Sequence, residues 1–145
     1  MSEESIRVVN IERTSAGRYA ASNARGGVLQ IGAGEGDSFT PVELFLAAIG
    51  SCTAIDVDLI TSRRADPSVF QVRVTGDKIR DEAGANRMQN LEVGFTVTFP
   101  EGEAGDAARA VLDRSVSMSH DRLCTVSLTV ERGTPVAITV ASASG

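Results

Sequence analysis

The stretch from Thr40 to Arg64 constrains this chain more than any other. Thr40 as N-cap, Pro41 at the first helical position and Glu43 at the third form a capping box with a proline start. They predict a helix running through LFLAAIGSCTAIDVDLITSRR to the Arg63–Arg64 pair, just before Asp66-Pro67. Basic residues suit that C-terminal end. In the first half, Leu44, Phe45, Leu46, Ala47, Ala48 and Ile49 leave no polar face. A helix apolar on all sides has to be surrounded by protein. At 145 residues the chain has room for one ordinary domain, residues 1–145. So small a domain rarely encloses such a helix alone, and a second copy of the chain is expected to help cover it.

The span Val42 to Ile60 also raises the question of a membrane. Asp56 and Asp58 lie within it, and Ser51, Cys52 and Thr53 stand at its centre. Carboxylates in lipid are costly, so a core helix is expected and no membrane partner. Nineteen acidic residues against fourteen basic give a net charge of -5, with no basic run, which argues against a nucleic-acid partner. The acidic, polar start MSEESIRVVNIER lacks the basic and apolar stretches of a secretory signal, so a cytoplasmic location is expected.

Around the helix the pattern is that of strands and turns. Ile6–Ile11, Arg18–Ala21 and Gly27–Ile31 read as short strands, with a turn at Asn23-Ala24-Arg25-Gly26. The loop GAGEGDSF lacks the Lys-Ser/Thr of a phosphate-binding loop and carries acidic Glu35 and Asp37. Phe70, Val72 and Val74 alternate with Gln71, Arg73 and Thr75, and Leu91 to Phe99 alternate likewise, so two strands are expected. The polar connection DKIRDEAGANRMQN reads as a hairpin loop, Gly102–Ser119 as a second helix, and Pro135–Val140 as a terminal strand.

Two cysteines in such a chain are more often free thiols than a structural bridge. Cys52 sits mid-helix among Gly50, Ser51 and Thr53, poor helix formers that leave room near the sulfur. The plain alternative is a small buried hydrophobe. Cys124 comes just after the second helix. Asp56, one turn after Cys52, would raise its thiol pKa, so a cation must come from elsewhere. Arg18, Arg25, Arg63 and Arg122 are the candidates. His120 and Cys124, four residues apart, would with Cys52 supply three metal ligands, but no clear fourth exists.

At these residues a family becomes visible. SFTPVELFLAAIGSCTAIDVDLI resembles the central-helix signature of the OsmC/Ohr family, a Pro, then Glu-Leu, then small residues and Gly-(Gly/Ser/Ala)-Cys-Thr. HDRLCTVSLTVERGTPVAITV resembles its second-cysteine segment, and the likeness spans Arg18 to Val140, closest to the general OsmC-like branch. The resemblance implies an α+β fold, an intertwined homodimer whose central cysteine-bearing helices pack against antiparallel sheets. It also implies a thiol-dependent peroxidase acting on organic hydroperoxides without a cofactor. Carried over residue by residue, Cys52 is the attacking thiolate, Cys124 the resolving cysteine that closes a disulfide, and Arg18, or after it Arg25, the activating cation. A dithiol, lipoyl groups in the Ohr branch, is the implied reductant.

In one place the chain departs from the pattern. The Ohr branch carries a glutamate directly after the helix-opening proline; here Val42 holds that position and Glu43 follows. At ~100° per residue Glu43 lies about half a turn round the helix from Cys52, so it is assigned to the cap. The alternatives are an OsmC-like module that binds a small apolar ligand or a partner without catalysis, and the Cys/His metal site.

Overall fold

The computed structural model describes residues 5–141. In chain order its elements are β1 (Val9–Ser15), β2 (Arg18–Asn23), β3 (Val28–Ile31), α1 (Pro41–Thr61), β4 (Val69–Arg80), β5 (Asn86–Thr98), α2 (Glu103–Met118), one π-helical turn (Ser119–Leu123) and α3 (Thr125–Glu131). Two antiparallel sheets and these helices make the chain α+β, as expected. It divides into two compact units, Met1–Ala47 and Ala48–Gly145.

In the first unit β1, β2 and β3 form an antiparallel meander, with Ile11 opposite Ala21 and Tyr19 opposite Ile31. The first strand begins at Val9, not at Ile6. Asn23 makes the second turn: its Oδ1 accepts the backbone N–H groups of Arg25 at 3.0 Å and Gly27 at 2.9 Å. That is the usual way an asparagine side chain replaces missing ladder partners. The glycine-rich loop is closed by the Gly32 N–H, which donates to the Phe39 carbonyl at 3.0 Å. The capping box then starts α1. The Glu43 N–H donates to Thr40 Oγ1 at 3.2 Å, and the Thr40 N–H donates to Glu43 Oε1 at 2.8 Å. The bond from the Thr40 backbone holds the Glu43 carboxyl below the usual carboxylate range.

The second unit is built on the β4–β5 hairpin, whose half-buried Phe70, Val72, Val74, Leu91, Val93 and Phe95 alternate with neighbours that are exposed apart from Thr75. Phe70 and Phe95 meet edge to face, with ring centroids 6.1 Å apart. Helix α1 lies directly on this surface: a side chain at Gly50 would collide with Val74. Gly50 is small because a strand packs there, not to leave room beside the sulfur. A side chain at Gly105 would likewise strike the Pro100 carbonyl, so α2 can start only with glycine at that point. Ile49, Val57, Phe99, Ala108, Val111 and Cys124 are buried, together with the hydroxyls Thr53, Thr61, Ser115 and Ser119. Thr61 and Ser115 satisfy their hydroxyls on the carbonyls of Val57 at 2.9 Å and Val111 at 2.7 Å, one turn back.

Three expectations are corrected here. Most of the polar connection from Asp77 to Asn90 is strand, and the turn is confined to the residues around Asp81–Ala85. Asp81 Oδ1 accepts the N–H groups of Ala83 at 3.0 Å and Ala85 at 2.9 Å, so the side chain that looked loop-like fastens the hairpin. Helix α1 ends at Thr61, short of Arg63–Arg64, although Arg64 Nη1 still reaches the Ile60 carbonyl at 3.5 Å. The β-branched run after Cys124, which the sequence left unassigned, forms a further helix, α3. Finally, Pro135–Val140 is not a strand: it has no ladder partner among the described residues, and Val136, Ile138 and Val140 are exposed.

Candidate thiol site

Both cysteines are free, and both belong to the second unit. Cys52 stands in the middle of α1 and is half-buried; Cys124 is fully buried. The π-helical turn puts Cys124 where it is. Its N–H donates to the Ser119 carbonyl at 2.8 Å, five residues back, and its own backbone turns extended before α3 begins. The wider turn directs the side chain inward, and the sulfur takes the capping position of α3, accepting the Ser127 N–H at 3.4 Å. Single π turns of this kind recur at functional sites.

Around the Cys124 sulfur stand two hydroxyls. Thr53 Oγ1 lies 3.4 Å away, and Ser127 Oγ 3.2 Å away. The Cys52 thiol is near enough for the two thiols to influence each other's acidity. The two thiols differ in acidity. Burial pushes the Cys52 thiol above its ordinary value; the Val126 N–H works against this, while Cys124 and the Asp56 carboxylate add to it. Burial would raise Cys124 too, but the hydrogen bonds from Ser127, Thr53 and Cys52 outweigh it and hold that thiol below its ordinary value. Cys124 is the more acidic thiol, and Cys52 the more accessible one.

Thr53 and Ser127 also line a cleft of about 350 Å³. Its walls are apolar, with Leu91, Val93, Phe95 and Val130 prominent, and His120, Asp121 and Glu131 are its ionisable members. Both ring nitrogens of His120 are taken by carboxylates, Nδ1 by Asp121 at 3.0 Å and Nε2 by Glu131 at 2.9 Å. No group of three or more His, Cys, Asp or Glu side chains able to hold a metal occurs among the described residues.

Cys52 and Cys124 are therefore brought together. Arg18 lies at the head of β2 in the first unit, paired with Ser15, its guanidinium near Gly36; Arg25 is exposed in the turn after β2. Thr53, Ser119 and Ser127 escaped the sequence reading as site residues. Ser127 left a signal, since it follows Cys124 at the three-residue spacing of a helix cap. Thr53 was visible only as a poor helix former beside a cysteine.

An α+β chain with one thiol on a long apolar helix and a second at the head of a short one defines a class of two-cysteine proteins. Within that class the chain belongs to the OsmC-like protein family, whose sequence pattern matches residues 34–139. It is similar to Protein YhfA of Escherichia coli (strain K12), at 28% identity over 116 residues, covering 79% of this chain and 81% of that one. Its fold is that of an OsmC-like protein from Mycoplasma pneumoniae, with a TM-score of 0.70 at 12% identity, covering 89% of each chain. The organic hydroperoxide resistance protein OhrB of Bacillus subtilis shares it at a TM-score of 0.53 and 13% identity, over 88% of this chain and 92% of that one. The family and the α+β fold implied by the two cysteine motifs are thus borne out.

Proposed function

We propose that this protein is a thiol-dependent peroxidase that reduces organic hydroperoxides. The observation that carries the reading is the pair of neighbouring free thiols, one reachable and one buried beside Thr53 and Ser127. Family membership and the likeness to a protein named for organic hydroperoxide resistance support it. The Cys52 thiolate attacks the terminal oxygen of ROOH; the O–O bond breaks, alkoxide leaves and is protonated to ROH, and Cys52 becomes a sulfenic acid. The Cys124 thiolate then attacks that sulfur, expels hydroxide and closes a disulfide, which a dithiol reduces in the cytoplasm. Because Asp56 and burial disfavour charge on Cys52, the attacking thiolate needs a cation, and Arg18 is assigned that role. A homodimer completes the reading, since apolar residues of α1 remain exposed.

The test is consumption of an alkyl hydroperoxide compared with hydrogen peroxide, using dithiothreitol and dihydrolipoamide as reductants. Faster turnover of the alkyl peroxide is expected, with both thiols lost in the absence of reductant. A second reading has its own observation: the apolar cleft beside Thr53 and Ser127 suits a small apolar ligand held without chemistry. Thiols that survive an excess of alkyl hydroperoxide would favour that reading.

A further inference from the structure

A protein disulfide can be opened at either sulfur. Access and the quality of the leaving thiolate decide which. In this site both criteria select the same sulfur. Cys124 is fully buried, whereas Cys52 is only half-buried. The Cys124 sulfur has three hydrogen-bonding groups that do not belong to Cys52: Thr53 Oγ1 at 3.4 Å, Ser127 Oγ at 3.2 Å and the Ser127 N–H at 3.4 Å.

The two hydroxyls can serve different forms of that sulfur. Thr53 Oγ1 lies 3.4 Å from the Ile49 carbonyl and 3.4 Å from the sulfur, so its single proton can turn from one to the other. Ser127 Oγ accepts from a neutral thiol and donates to a thiolate, because a hydroxyl does either. As negative charge grows on Cys124, three donors are already in place, and charge-assisted hydrogen bonds are the stronger kind. Cys52 has the Val126 N–H, but the Asp56 carboxylate opposes charge there.

We propose that Thr53 and Ser127 make Cys124 the leaving thiolate of a Cys52–Cys124 disulfide, so that the dithiol reductant attacks the Cys52 sulfur. This rests on the paired-thiol chemistry proposed above. One reductant thiolate forms a bond to Cys52 Sγ, the S–S bond breaks, and its electron pair goes to Cys124. The second reductant thiolate then attacks the reductant sulfur of the mixed disulfide, closing the reductant's own disulfide and releasing Cys52 as a thiolate, which takes up a proton. Protein and reductant exchange two electrons, and no other oxidant or cofactor enters.

The experiment uses the full chain, oxidised with diamide so that disulfide formation does not depend on peroxide. Brief treatment with the monothiol 2-mercaptoethanol, alkylation of released thiols and peptide mass spectrometry locate the adduct. The expected adduct is on Cys52, with Cys124 alkylated. An adduct on Cys124, or no disulfide under diamide, overturns the proposal. Thr53→Val and Ser127→Ala should each slow reduction of the diamide-formed disulfide roughly three- to tenfold and move the alkylation pH midpoint of Cys124 upward in a Cys52→Ser background, with Thr53→Ser restoring both. Unchanged rates and midpoints in folded variants would remove Thr53 and Ser127 from the step. A protein that consumes no hydroperoxide yet takes the adduct on Cys52 loses the peroxidase reading and keeps this one. Turnover of peroxide with the adduct on Cys124 does the reverse.

Discussion

Ser119 Oγ donates to Asp56 Oδ2 at 2.7 Å, tying the carboxylate of α1 to the first residue of the π-helical turn. Ser119 is fully buried, so the bond satisfies a hydroxyl that has no water. It also fixes a negative charge one helical turn from Cys52, where that charge raises the thiol. Asp56→Asn keeps an acceptor for Ser119 and removes the charge. Cys52 in that variant should alkylate roughly two- to tenfold faster at neutral pH, with the fold intact. Iodoacetamide kinetics followed by mass spectrometry read the change, and an unaltered rate would mean that the carboxylate is screened from the sulfur.

Arg18 is the counterpart of Asp56 in the proposed chemistry. A guanidinium within about 6 Å of a thiolate lowers its pKa by ~1–3, which would offset the burial that raises Cys52. Arg18→Ala should therefore slow Cys52 alkylation at neutral pH by tenfold or more on that scale. Circular dichroism should stay native, since Arg18 is the exposed first residue of β2 and fills no core position. If alkylation is unchanged, the same measurement on Arg25→Ala decides whether the turn after β2 supplies the cation.

What could be read from the sequence was what local rules control. The start of α1 is one example: Thr40 and Glu43 satisfy each other's backbone N–H groups within four positions, and the capping box formed as expected. Elements that depend on distant partners were misjudged. The hairpin between Asp77 and Asn90 looked like loop because its residues are polar, yet ladder hydrogen bonds use backbone groups and ignore polarity on the solvent side. Thr125–Glu131, left without an assignment, carries β-branched residues and still forms α3, because Cys124 caps it and the π turn feeds it. Here tertiary context overrides propensity. The cysteines could be picked out by motif. The contact between Thr53 and Cys124 could not, because it joins residues 71 positions apart that share no pattern.

Ile55 and Leu59, one turn apart on α1, are each 60% exposed, and Val9, Ile11, Val28, Val136, Ile138 and Val140 are exposed as well. Such apolar surface is what the proposed homodimer would cover. Multi-angle light scattering at micromolar concentration should give twice the chain mass, and Leu59→Asp should shift the population toward monomer. A wild-type protein that elutes as a stable monomer would refute the homodimer.

His120 bridges Asp121 and Glu131, which together raise its pKa above 6.5. A histidine whose folded value exceeds its unfolded value stabilises the protein in its charged form. That contribution is complete below about pH 6.5 and disappears as pH rises through the folded value, provided the two carboxylates are ionised. The imidazole is well exposed, so salt should weaken the effect. Denaturation midpoints should fall between pH 6 and pH 8, roughly the range in which histidine titrates. His120→Gln should flatten that fall. An identical slope in the variant would show that the bridge between the π turn and α3 contributes nothing to stability.

The division of labour between the two cysteines gives the last prediction. Accessibility favours Cys52 as the attacking sulfur, whereas acidity favours Cys124. A hydroperoxide has to reach the sulfur before acidity counts, so the assignment follows access. Cys52→Ser should abolish even the first turnover, because a serine hydroxyl is neither acidic nor nucleophilic enough to attack the O–O bond. Cys124→Ser should still consume one equivalent of an alkyl hydroperoxide and stop there, leaving a Cys52 sulfenic acid that dimedone traps. With excess peroxide that variant should over-oxidise, while the wild-type protein should instead show a Cys52–Cys124 bridge by non-reducing peptide mapping. If Cys52→Ser consumes one equivalent and Cys124→Ser none, acidity has prevailed over access, and Cys124 attacks while Cys52 resolves.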